Sequence, residues 1–292
     1  IREIADRYTV LRDGRTVGAG RLADVDHKQI VSLMVGRNVE ELFPHVRPEP
    51  GETLLTIEGL RGRKLPREAT LEVRRGEILG ISGLVGAGRT ELLRCLAALD
   101  PVRSGAVRIA GASPPATPRA RLKAGLGLVS ENRKEEGLAQ GLSIADNLTL
   151  SRLGDYSLLG FLNLGRRRRS VEEWMTRLKV KARRSQQAVG DLSGGNQQKV
   201  ALARVLHQQA DVLLLDEPTR GIDVGTKAEI YRLIGEAAAQ GKAVIFVSSY
   251  LPELLAVCDR IAVMARGRVR AIRPTSQWTE EQVLAVAVET DL

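Results

Sequence analysis

Gly83-Leu84-Val85-Gly86-Ala87-Gly88-Arg89-Thr90 stands between two apolar stretches, and its reading decides the fold. Before it, Glu77-Ile78-Leu79-Gly80-Ile81-Ser82 reads as a buried strand, and after it Glu91-Leu92-Leu93-Arg94-Cys95-Leu96 begins a helix. Strand, Gly-rich loop and helix form the context in which the pattern G-x-x-x-x-G-K-[ST] binds phosphate. Gly83, Gly86 and Gly88 would let backbone N–H groups close around phosphate oxygens, with the positive end of the helix dipole behind them. Thr90 would supply a hydroxyl to magnesium. Arg89 departs from the pattern, because a lysine normally occupies that place. A planar guanidinium does not replace a compact ammonium, so phosphate can still bind while its positioning suffers.

Downstream lie Leu192, Ser193, Gly194, Gly195 and Asn196, then Gln197-Gln198-Lys199 and a run of helical character, 200–206. This turn again offers backbone N–H groups and a hydroxyl to an anion; a simple helix cap would need only the serine. Next comes Val212-Leu213-Leu214-Leu215-Asp216-Glu217-Pro218-Thr219, an apolar strand that ends in two acids. Asp216 is placed to hold magnesium and Glu217 to act as general base on an attacking water.

The segments GLVGAGRTELL, VSENRKEEGL, LSGGNQQK, DEPTRGIDVGTKAEIY and VSSYLPELL together resemble the ATP-binding cassette family. More narrowly, they resemble the second cassette of the tandem ATPase subunit of bacterial monosaccharide importers of the ribose, galactose and xylose type. The resemblance implies an α/β P-loop NTPase core with an antiparallel β layer and a helical subdomain. It implies ATP and Mg2+ as cofactors, with ATP sandwiched between the phosphate loop of one cassette and the signature turn of another. The partners it implies are the first cassette of the same chain, a transmembrane permease and, indirectly, a periplasmic sugar-binding protein. The implied place is peripheral, on the cytoplasmic face of the inner membrane, with no nucleic acid expected.

Within that resemblance, Asp223 matches the D-loop aspartate. Glu131 falls where glutamine is usual and is a tentative magnesium ligand beside Thr90 and Asp216, while Ser249 stands at the switch-histidine position. Residues 53–82 contain no Phe, Tyr or Trp to stack on adenine. Four departures thus share one nucleotide pocket while the signature turn stays readable. That pattern implies a degenerate site which donates Leu192–Asn196 to the first cassette. The fragment alone would then be weak or inactive, within a parent that is a transport-coupled ATPase.

An internal repeat marks the domain boundary. Asp6-Arg7 matches Asp259-Arg260, Val10 matches Val263, Gly14-Arg15 matches Gly267-Arg268, Gln29 matches Gln282 and Val35 matches Val288, all without a gap. Residues 1–43 therefore read as the end of a preceding cassette, 44–52 as a Pro-rich linker (PHVRPEPG over 44–51) and 53–292 as one complete copy.

The remaining composition narrows the field. Hydrophobic residues make up 43% of the 292, enough for a core, and no apolar run reaches the roughly 20 residues of a membrane span. Cys95 and Cys258 sit singly in apolar segments and read as reduced core residues, and His27, His45 and His207 as surface or packing residues. The net charge of +9 keeps open a soluble ATPase of the same family acting on nucleic acid or ribosomes, and the altered pocket a non-catalytic nucleotide-binding module. The arginine run 166–169 reads as a solvated helix start, a nucleic-acid patch or a contact for anionic lipid.

Buried strands are expected at 127–130, 212–216 and 243–248 in a mostly parallel sheet. Short alternating strands are expected between 54 and 81, and a helical insertion over about 132–190 that includes Val171–Leu178 and Trp174. Residues 131–141 form the candidate loop for contact with the permease.

Overall fold

The computed structural model describes residues 5–12, 15–26, 29, 30, 33, 49–158 and 160–289. A hairpin of β1 (Arg7–Arg12) and β2 (Arg15–Arg21) comes first. After it stand β3 (Thr53–Gly62), β4 (Ala69–Arg74), β5 (Ile78–Gly83), α1 (Arg89–Leu96) and β6 (Val102–Ile109). Then follow α2 (Pro118–Lys123), β7 (Leu126–Val129), α3 (Ile144–Thr149), β8 (Ser157–Leu158), β9 (Phe161–Leu162) and α4 (Leu164–Arg177). The remainder is α5 (Gly194–His207), β10 (Val212–Asp216), α6 (Val224–Ala239), β11 (Ala243–Val247), α7 (Leu251–Val257), β12 (Arg260–Ala265), β13 (Arg268–Pro274) and α8 (Glu280–Val288).

The central sheet runs β13-β12-β5-β11-β10-β7, parallel throughout except for β13 at its edge. Its inner strands β5, β11 and β10 are buried almost throughout because both faces are covered, whereas the edge strand β13 carries Arg268, Arg270 and Arg273. Successive residues serve different cores. Leu213, Leu215, Val244, Phe246, Ile261 and Val263 pack toward the helices, and Val212, Leu214, Ala243, Ile245, Ala262 and Met264 pack toward the second layer. That layer is the antiparallel sheet β4-β3-β6. Its third strand, β6, lies beyond α1 and was not among the expected strands, because its pairing with β3 is long-range and VRSGAVRI carries little apolar alternation of its own.

The expected helical insertion is present as α3 and α4, but it also holds the β8–β9 hairpin and a single π-type turn, Arg133–Gly137. No helix among the described residues is long and apolar enough to cross a membrane.

The internal repeat recurs in three dimensions. The β1–β2 hairpin has its irregularity between Val10 and Leu11, and β12–β13 has one between Val263 and Met264, the matching pair. The 3-10 turn Leu22–Asp24 corresponds to Thr275–Gln277. Asp26 and Gln29 exchange the same reciprocal backbone hydrogen bonds as the Thr279–Gln282 capping box. Most of the 44–52 linker lies outside the described residues, as do His27 and His45.

Candidate functional site: a phosphate pocket and an outward-facing turn

Strands β5 and β10 flank β11, so the loop after β5 and the acids after β10 open at the same sheet edge, outside the strands' carboxyl ends. The phosphate loop depends on two unusual backbone positions. Gly83 has φ +154°, and a Cβ there would lie 2.4 Å from the Met264 carbonyl oxygen. Gly88 caps α1 at φ +98°, in the left-handed region that glycine enters at little cost. Gly86, at φ +81°, has open space around it.

Thr90, in the first turn of α1, hydrogen-bonds the Asp216 carboxylate. Asp216 is buried, and its Oδ1 has no hydrogen-bond partner. Burial pushes its carboxyl up to about 6, against the opposing bond from Thr90. An orphaned carboxylate oxygen beside a hydroxyl suits a hard cation such as magnesium, which completes its shell with water and phosphate oxygens. No cluster of three or more His, Cys, Asp or Glu able to hold a metal occurs among the described residues. Thr90 and Asp216 would therefore hold the ion only together with a nucleotide. Glu131, the third expected ligand, has its carboxylate paired with the Arg220 guanidinium.

Arg89 points across the pocket. Its Nη1 donates to the Ser248 carbonyl at 2.9 Å, and its Nη2 lies 4.0 Å from Glu217 Oε1, with the side chain only 11% exposed. Glu217 has φ +47°, a strained value for a side-chain-bearing residue, and is buried. Burial raises its carboxyl above the usual range, while hydrogen bonds from Ser249 and the charge of Arg89 act in the opposite sense. Ser249, at the position expected for a histidine, thus still reaches the candidate base through its hydroxyl and its backbone N–H.

The second turn behaves differently. Ser193 is the N-cap of α5 and is exposed, yet its hydroxyl caps no backbone N–H of that helix. Instead Asn196 Nδ2 donates to Ser193 Oγ at 2.8 Å while Asn196 Oδ1 accepts from Lys181 N at 2.8 Å. Leu192 is buried and Gly194 and Gly195 are half-buried. Asp223, the D-loop match, caps α6 by accepting from Thr226 N at 2.9 Å and from its hydroxyl at 2.7 Å.

Two residues that sequence reasoning passed over tie these parts together. Glu253 on α7 is buried; it accepts from Ser248 Oγ at 2.5 Å and from the Thr219 hydroxyl, and it also bonds Tyr231. One carboxylate thereby fixes the chain just past Glu217 to the chain just before Ser249. An acid inside the otherwise apolar LPELLAV was the available signal. Arg133 donates to the Arg220 carbonyl at 3.1 Å and to Gln198 Oε1 at 3.3 Å, joining the 131–141 loop to α5. It lies inside the loop expected to meet the permease, but nothing in its sequence context pointed to Gln198 or Arg220 as its partners.

The profile of the ABC transporter family matches residues 67–220, which span the phosphate loop, the signature turn and the paired acids. The chain belongs to the ABC transporter family. Among its relatives in that family, ribose import ATP-binding protein RbsA 3 of Rubrobacter xylanophilus is 47% identical over 286 residues, covering 97% of this chain and 57% of the relative. Ribose import ATP-binding protein RbsA of Rhodococcus jostii is 44% identical over 289 residues, covering 99% of this chain and 58% of the relative. This ABC transporter chain therefore spans a little over half the length of these curated relatives. An ATP-binding cassette solved as a post-hydrolysis dimer with ADP and Pi superposes with a TM-score of 0.66 at 23% identity, covering 77% of this chain and all of that one. A nucleotide-free cassette from an ABC transporter gives 0.65 at 19%, covering 81% and 96%. These two share the ABC fold seen here, an α/β core with an antiparallel layer.

Proposed function

We propose that this chain is the second cassette of a tandem ATPase that drives a bacterial sugar importer. Its phosphate pocket would be degenerate, and its signature turn would complete the ATP site of the first cassette. The observation that carries the reading is the contrast between Arg89, folded onto the Ser248 carbonyl and Glu217, and Ser193, exposed with its hydroxyl capping no backbone N–H and held only by the Asn196 side chain. The recurrence of hairpin irregularity, 3-10 turn and capping box at matching repeat positions supports residues 1–43 as the end of the preceding cassette and 53–292 as a full copy.

The relatives named as ribose import proteins support a sugar as the cargo, a permease and a sugar-binding protein as partners, and a peripheral place on the cytoplasmic face of the membrane. ATP would lie along the phosphate loop, with Mg2+ held by Thr90, Asp216 and the phosphates, and with Glu217 as the general base where turnover occurs here at all. The 131–141 loop borders a cavity of about 250 Å³ lined by Leu99, Leu122, Ser130 and Glu136. That cavity is the proposed seat for the permease, and Arg133 would carry its occupancy to α5 and the signature turn.

The test is ATP turnover by the full tandem protein. Ser193→Arg, which blocks the donated turn, should lower the rate by roughly a hundredfold or more. Glu217→Gln should leave most of it. The reverse ranking would defeat the proposal, since it would make this pocket the working site.

A further inference from the structure

The β8–β9 hairpin and the start of α4 form a surface that the ATP-site reading does not use. Leu158 is 75% exposed, Phe161 81% and Leu164 64%, with Leu162 of the same strand as Phe161 also exposed. Large apolar side chains presented together at a hairpin are costly in water and mark a contact surface. The support beneath is fixed. Asn163 N donates to the Tyr156 carbonyl at 2.7 Å, and the Tyr156 hydroxyl bonds Ser170 Oγ at 2.9 Å and His207 Nε2 at 2.5 Å.

At the base of the hairpin lies a cavity of about 400 Å³ into which Arg152, Arg166 and Arg169 converge, together with Asp155 and Glu173. Arg152 is held by Asp155 at 2.5 Å, Arg167 by Asp146 at 2.5 Å and Arg168 by Glu172 at 2.8 Å. Arg166 and Arg169 make no side-chain ion pair among the described residues.

We propose that this hairpin and its arginine cavity dock directly on an anionic phospholipid surface, with Leu158 and Phe161 entering the acyl boundary and Arg166 and Arg169 receiving the headgroup phosphates. The juxtaposition selects the ligand. A soluble phosphate would satisfy the arginines and leave the apolar ridge in water, and a nucleic acid would want aromatic platforms, whereas Phe161 is the only aromatic on the ridge. A bilayer interface satisfies both parts at once. The contact is independent of the ATP site, so it stands or falls separately from the cassette reading.

The experiment is co-sedimentation of the chain with phosphatidylcholine vesicles, with and without phosphatidylglycerol, at low and high salt. Two arginines near an anionic surface should strengthen binding to the phosphatidylglycerol vesicles about tenfold or more, and salt should reverse it. The pair Arg166→Glu and Arg169→Glu should remove the dependence on phosphatidylglycerol. The pair Leu158→Ser and Phe161→Ser should weaken sedimentation without changing its salt response. Circular dichroism checks that each variant is folded, and Phe161→Leu, which keeps the apolar ridge, should sediment as the parent does. Equal sedimentation on both vesicle types, or variants that sediment like the parent, would overturn the proposal. Inorganic phosphate binding in calorimetry without vesicle binding would assign the cavity to a soluble anion, and capture only by permease-bearing vesicles would assign the hairpin to a protein; either result also overturns it.

Discussion

The two Gly-rich turns of this chain are built from similar parts and left in opposite states. The loop before α1 is closed on its own side chains, with the Arg89 guanidinium donated to the Ser248 carbonyl and lying near Glu217. The turn before α5 faces outward, its Ser193 hydroxyl tied only to Asn196. Both are helix N-termini able to receive an anion. What separates them is where their spare hydrogen-bonding capacity goes. A pocket that satisfies its own cation internally must give up that contact before a phosphate can use it, whereas an exposed cap waits for a group brought from outside.

The largest expected effect tests how rigidly each turn is held. Gly83→Ala drives a Cβ onto the Met264 carbonyl and should cost about 3 kcal/mol in denaturant unfolding. Gly194→Ala presses closely only on the far end of the Arg133 side chain, which can move aside, and meets the Gly221 carbonyl at an ordinary 3.6 Å, so its cost should stay under about 1 kcal/mol. Equal losses would erase the contrast.

Next in size is the pH response of the closed pocket. The Asp216 carboxyl is raised from 3.8 to about 6, so between those values the folded chain holds a proton that the unfolded chain has lost. Stability should therefore fall as pH rises from about 4 to 6, by up to roughly 3 kcal/mol, and level off above. A magnesium nucleotide needs the ionised form, so below pH 6 its affinity should drop about tenfold per unit, with proton release measurable by calorimetry in buffers of different ionisation enthalpy. Asp216→Asn should abolish that release; its persistence would place the titration elsewhere.

A smaller gain is expected from Arg89→Lys. The ammonium lacks the fork that holds Ser248, and Mg-ATP affinity in equilibrium dialysis should rise about fivefold. A loss of affinity instead would show that the guanidinium already serves the phosphates. Smallest of all, Asn196→Ala removes the links to Ser193 Oγ and Lys181 N and should lower stability by about 0.5–1 kcal/mol. A larger penalty would mean that the open turn is held as tightly as the closed one.

Much of the proposed site is legible in the sequence as a set of candidates. Gly83, Thr90, Asp216 and Glu217 stand out as candidates because the phosphate and magnesium chemistry proposed for them calls for those residue types at short, fixed spacings beside a strand end. Glu253 and Arg133 did not, because partners that give them their place stand far off in sequence: Thr219 and Tyr231 for one, Gln198 and Arg220 for the other. Strand β6 was missed for the same reason, its register being set by β3 across an intervening helix.

Local chemistry thus determined the fold class, and it marked Gly83–Thr90, Asp216–Glu217 and Leu192–Asn196 as candidates, since each is a contiguous run whose hydrogen-bonding needs and apolar period are met within a few residues. Tertiary structure alone decided that Arg89 turns to Ser248, that Glu131 is taken by Arg220 and that Phe161 stands out beside a cavity of arginines. A side chain's partner is chosen by which distant groups packing brings within about 3 Å, and no spacing along the chain carries that distance.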